Sequence, residues 1–109
     1  MNIVFKNYTP HDINLIESGK VTTLKSEGIA RCDIKTEKLS PINNIPVVRK
    51  SYGNVVGLPD CEEGVFYIVS NIVASACPNR YDLLVPDNLV RDNNGAIIGC
   101  TSFSIIWSN

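Results

Sequence analysis

The stretch from Tyr67 to Asp92 holds the residues best suited to chemistry. An apolar run, Val65-Phe66-Tyr67-Ile68-Val69, ends at Ser70-Asn71 and passes into a segment with helical spacing, Asn71 to Cys77, which Pro78 stops. The first turn of a helix presents unpaired N–H groups and a partial positive charge, which suits phosphate or carboxylate. Arg80 follows the helix and Arg91 follows the next apolar segment. Guanidinium forks hold phosphate through paired hydrogen bonds. Asp82 and Asp92 could orient those arginines or accept from ribose hydroxyls, while Tyr67 or Tyr81 could stack on a base. The functional reading is therefore a site for a phosphorylated, nucleotide-like molecule, with Arg80→Ala abolishing binding and leaving the fold intact. The competing reading is structural. Ser70 or Asn71 caps the helix, and Arg80–Asp82 and Arg91–Asp92 are local ion pairs holding a loop.

Other chemistry has weaker support. His11 is the single histidine, and with Cys32 or Cys100 it could form a nucleophile and base pair. Nothing in the spacing brings them together, and a histidine after Thr9-Pro10 also serves to fasten a turn. Glu62 and Glu63 are adjacent, so on extended backbone they point apart and make a poor acid–base pair. Gly57 and Gly64 fit neither a P-loop nor a dinucleotide fingerprint. Cys32, Cys61, Cys77 and Cys100 contain no Cys-x-x-Cys pair, which argues against zinc and for reduced thiols acting as small apolar residues. The expectation is no catalytic residue, no metal ligand and no cofactor.

The elements that would position the site are mostly strands. Isoleucine and valine total 24 against 7 leucines, and β-branched side chains suit pleated strands. The pattern predicts strands at Asn2–Lys6, Ile13–Ile16, Val21–Lys25 and Ile29–Thr36, with Leu39 to Asn44 a loop. Ile45–Tyr52 and Asn54–Leu58 flank Gly53 and read as a hairpin. Val65–Val69, apolar at every position, reads as a central strand covered on both faces. Tyr81–Val85 stops at Pro86, and Asp92-Asn93-Asn94-Gly95 is the clearest turn. Ala96 to Trp107 reads as a long closing strand. Ile97, Thr101, Phe103, Ile105 and Trp107 share one face, which is either core or an oligomer interface, and Cys100, Ser102 and Ser104 share the other. The predicted fold is α+β: one mainly antiparallel β domain, residues 1–109, with one short helix at about residues 71–77.

Composition narrows the role. The chain has 109 residues with a net charge of −1, so no basic excess drives nucleic-acid binding. No apolar run approaches the roughly 18–20 residues of a membrane-spanning helix. The N-terminus lacks the layout of a signal peptide, which predicts a cytosolic protein.

Several motifs recur together: Asn7-x-Thr9-Pro10-His11; Ile45-Pro46-Val47 leading to Gly53-x-Val55-x-Gly57-Leu58-Pro59; Gly64-x-x-Tyr67-Ile68-Val69-Ser70; Arg80-x-Asp82; and Val90-Arg91-Asp92-x-x-Gly95-x-Ile97-Ile98-Gly99-Cys100. This arrangement resembles a family of small proteins encoded by bacteriophages and prophages, over most of the chain. The resemblance implies a phage origin and the cytoplasm of a bacterial host, and brings no catalytic or binding residues with it. The leading expectation is a non-enzymatic sponge, a homo-oligomer that sequesters a nucleotide signal of bacterial immunity. The alternatives are a protein-interaction module that inhibits a host protein, a minor structural component, or a small nucleotide hydrolase or lyase.

Overall fold

The computed structural model describes residues 2–107. Among them are eight strands and one helix: β1 (Val4–Asn7), β2 (Ile13–Glu17), β3 (Lys20–Leu24), β4 (Arg31–Lys38), β5 (Val48–Val56), β6 (Val65–Ile68), α1 (Asn71–Ala76), β7 (Leu83–Arg91) and β8 (Ile97–Ser104). Six strands form one sheet in the order β1-β6-β7-β8-β2-β3, and β4 and β5 pair separately. The longest ladders, β4–β5, β7–β8 and β2–β3, are antiparallel. The joints β1–β6, β6–β7 and β2–β8 are parallel and short. The sheet curls until its two ends nearly meet, where Asn7 bridges Ser26 just beyond β3. The fold is thus mainly antiparallel β with one short helix, as the sequence predicts.

β6 is apolar at every position because both of its faces are covered. Val65, Tyr67 and Val69 pack with Leu83, with Val73 and Ala74 of α1, and with Ala30. On the opposite face Ile68 is fully enclosed, and Phe66 meets Phe5, which in turn meets Phe103, at ring separations of 6.3 and 5.8 Å. α1 spans less than two turns and would not persist alone. Ser70 caps it, its Oγ accepting from the Val73 N–H at 3.3 Å, and the burial of Val73 holds it down. No helix among the described residues is long and apolar enough to cross a membrane.

Three expectations are corrected. The hairpin does not turn at Gly53: β5 runs unbroken from Val48 to Val56, and its partner is β4. The turn is Asn43-Asn44, both at positive φ (53° and 65°), with Ile42 and Ile45 exchanging both backbone hydrogen bonds. That is the conformation of a tight two-residue hairpin turn. β7 continues through Pro86, which pairs with Phe103. β6 pairs with β7 only at Leu83 and Leu84, so the missing N–H of Pro86 interrupts no ladder on that side. The closing strand ends at Ser104, and its two faces do not sort into core and surface: the consecutive Gly99 and Cys100 are buried, Ile97, Ile98 and Thr101 are exposed, and Phe103 is half-buried.

Gly57 sits at φ +87°, and a Cβ there would collide with the backbone carbonyl of Ile29. Positive φ is strained for any side chain, and backbone at that range cannot yield cheaply. Gly57→Ala is expected to cost about 2 kcal/mol. Chemical denaturation checks it, and an unchanged midpoint would disprove the close approach.

Candidate functional site

A hollow opens where β6 ends. β7 runs on well past that point, so a gap remains between the end of β6, the start of β2 and the β7–β8 ladder. β2 meets β8 in register only at Leu15 and Cys100. Gly99 permits that approach, since a Cβ there would fall 2.7 Å from the Asn14 carbonyl oxygen. The resulting cavity has a volume of about 710 Å³, within the range of small-molecule sites.

Its walls are mainly apolar: Ile13, Val69, Val85, Pro86, Leu89, Ile97, Ile98 and Cys100. One corner is polar, made by Thr9, His11, Asp12, Asn14, Ser70 and Asn71. Several of these are already engaged. Asn14 Nδ2 donates to the Ile98 carbonyl at 3.2 Å, and Asn14 Oδ1 accepts from Thr23 at 2.8 Å. Asp12 accepts from the Ser26 N–H at 3.0 Å and lies 3.6 Å from Lys25 Nζ. The His11 ring and the Asn71 amide hold no side-chain hydrogen bond among the described residues, so both remain available to a ligand.

Of the residues expected to bind phosphate, only Ser70 and Asn71 line this cavity. Arg80 lies elsewhere, with Nε and Nη2 engaged. Its Nε donates to Asp82 Oδ1 at 2.7 Å, and its Nη2 donates to Asp82 Oδ2 at 2.8 Å and to the Pro59 carbonyl at 2.9 Å. Asp82 is fully buried. Burial pushes its carboxyl pKa up, but the hydrogen bonds and charge of Arg80 outweigh that and hold it below the usual value. The pair is a structural bolt, so the geometry favours the structural reading, and Arg80→Ala is expected to destabilise the fold.

Arg91 Nη1 donates to the Gly95 carbonyl at 2.8 Å. Asp92 Oδ1 accepts from the N–H groups of Asn94 and Ala96 at 2.8 and 3.0 Å. Both residues shape the β7–β8 turn. Tyr67 is 2% exposed, edge-on to Tyr8 in the core, and no base can reach it. Tyr81 is half-exposed and packs edge-on to Trp107. No lysine or arginine lines the cavity among the described residues.

The structure places His11 and Cys100, but not Cys32, on the same cavity. No hydrogen bond joins them among the described residues. Cys100 is 1% exposed, and burial above all pushes its thiol pKa up, against the opposing effect of backbone hydrogen bonds at Asp87 and Ser102. A thiol held protonated is a poor nucleophile. No group of three or more His, Cys, Asp or Glu side chains among the described residues is placed to hold a metal.

Nothing matches. Comparison with models of protein families, with curated proteins and with solved structures finds no relative for this chain, so the site is read from its own chemistry. Sequence reasoning misses the apolar wall, because Ile13 of β2 lies far along the chain from Leu89, Ile97 and Ile98 of the β7–β8 hairpin. The one local signal is Gly99 inside a strand, between Ile97-Ile98 and Cys100, a pattern that marks close approach of another backbone.

Proposed function

We propose that this protein is a non-catalytic binding protein whose cavity takes a nucleotide-like small molecule. The observation that carries the reading is one apolar wall facing two unengaged polar side chains, His11 and Asn71. A flat heterocycle suits Ile13, Leu89 and Ile97. The polar edge of the base or sugar suits His11, Ser70 and Asn71, and phosphate groups project toward the mouth, away from an interior that lacks lysine and arginine. The protonated state favoured for Cys100 argues against that thiol as a nucleophile toward the ligand. In the phage setting that the motifs imply, such a protein serves as a sponge for a host nucleotide signal. The rival reading, a protein-interaction module, has support from the exposed apolar side chains of the β4–β5 hairpin.

The test is a thermal-shift screen against nucleosides, mononucleotides, cyclic dinucleotides and cyclic oligonucleotides. A ligand at 100 times its Kd adds about 2.7 kcal/mol, which raises the melting temperature of a domain this size by roughly 10–20 °C. Leu89→Arg, at a position 45% exposed, is expected to weaken binding by about tenfold or more, equivalent to at least 1.4 kcal/mol, without lowering the melting temperature of the free protein. Ligand recovered unchanged after heat release supports a binder. No shift across the panel, or a shift that Leu89→Arg leaves intact, overturns the assignment.

A further inference from the structure

Beyond its base, where α1 lies against β4 and β5 and where Cys32 and Val55 pack on the core, the β4–β5 hairpin is an arm that this chain does not cover. No residue from 33 to 52 is buried, and Ile34, Ile42, Ile45, Val48 and Tyr52 are each between 45% and 66% exposed. An isolated two-stranded hairpin is marginally stable in water and needs a further strand or a packed face. Its open edges are also templates for association.

The dimensions say how much cover is missing. A compact chain of this length has a radius of gyration of about 13 Å, whereas the observed value is 16.8 Å, with a longest extent of 53 Å. A monomer of 12.0 kDa exposes about 6,000 Å², whereas this chain exposes 7693 Å². The excess, about 1,700 Å², is roughly twice the ~800 Å² that each partner contributes to a standard interface.

Charge points to the occupant. Residues 31–50 carry five basic side chains (Arg31, Lys35, Lys38, Arg49, Lys50) and two acidic ones (Asp33, Glu37), while the rest of the chain carries five basic and nine acidic. Each copy therefore brings a basic, apolar arm and an acidic body, and opposite potentials favour their encounter. We propose that the protein is a homodimer in which the β4–β5 arm of each chain lies across the body of the other. Reciprocal exchange of this kind is two-fold symmetric and closes on itself. The proposal is independent of the cavity and its ligand.

Light scattering after size-exclusion chromatography tests it on three proteins. The full chain is expected at twice 12.0 kDa. A variant with residues 36–50 replaced by Asn-Gly, joining the paired Lys35 and Ser51, is expected to be monomeric with an unchanged circular dichroism signal from its core strands. The full-length double variant Ile42→Asp and Ile45→Asp is expected to be monomeric too, and added salt is expected to weaken the wild-type dimer several-fold. A monomeric full chain at high micromolar concentration, a dimer that survives arm trimming, or a larger assembly overturns the reciprocal arrangement.

Discussion

Arg80→Ala is expected to lower stability by about 3 kcal/mol near neutral pH, enough to bring a small domain close to unfolding. Removing one partner of a buried ion pair costs about 3–5 kcal/mol, because the other is left as an uncompensated charge. The lower end applies because the Arg80 side chain keeps 21% of its exposure. The sign of the pH dependence separates this cause from simple loss of packing. In the wild type, the Asp82 pKa is held below the unfolded value of about 3.9. Its contribution is therefore present above that unfolded value and is lost as pH falls through the folded one. In Arg80→Ala, burial acts on Asp82 without the guanidinium to oppose it, so its pKa rises above the unfolded value. Protonation then relieves the folded state, and the deficit shrinks as the medium is acidified. Replacing both residues, Arg80→Met with Asp82→Leu, is expected to recover most of the loss, since apolar pairs often match buried ion pairs. Urea denaturation of the two variants over a pH series checks all three expectations. A deficit that is the same at every pH would show that Asp82 is not the group responsible.

This result bears on how a phosphate site is inferred from sequence. Arg80-x-Asp82 looks alike whether the arginine waits for a ligand or bolts a loop, because the difference lies in Pro59 and in the depth of Asp82. Neither is a property of the motif. Local signals are more legible. The cap at Ser70, the stop before Pro78, the turn at Asp92–Gly95 and the double-sided burial of β6 all follow from residues within a few positions of one another. Where sequence and structure part, the cause is tertiary context. Pro86 reads as a strand break, yet β6 has already stopped, so no bond is missed there. β8 does not keep the alternation its sequence suggests: the buried Gly99 and Cys100 are consecutive, at the point where β2 meets β8. Hydrophobicity alone favours Ile97, Phe103 and Trp107 over both, because the close approach of β2 is a tertiary event. Asn43-Asn44 between two isoleucines is a stronger hairpin signal than Gly53, which instead sits close to Asp33 near the register shift between Cys32 and Ile34.

The same distinction governs the opening motif Asn7-x-Thr9-Pro10-His11. Asn7 is 1% exposed, and its amide is saturated. Nδ2 donates to the carbonyls of His11 and Leu24 at 2.7 and 2.9 Å, and Oδ1 accepts from the N–H and hydroxyl of Thr9 at 2.9 and 2.7 Å. One side chain thus ties the end of β1 to the loop before β2 and to the end of β3, where the curled sheet nearly closes. The motif positions His11 at the cavity by holding its backbone. Asn7→Asp is the sharpest probe, since it preserves shape and one acceptor but turns the donor into a second acceptor facing two carbonyls. At neutral pH it is expected to cost about 3 kcal/mol, from two lost hydrogen bonds and a buried charge without a cation. The folded state then raises the pKa of the introduced carboxyl group, so proton uptake restores one donor and the deficit narrows in acid. Thermal melting of Asn7→Asp and Asn7→Ala across pH separates the effects: only the Asn7→Asp variant is expected to gain on wild type as pH falls. If Asn7→Asp melts like wild type at neutral pH, the amide is not the clamp that closes the sheet, and His11 is placed by something else.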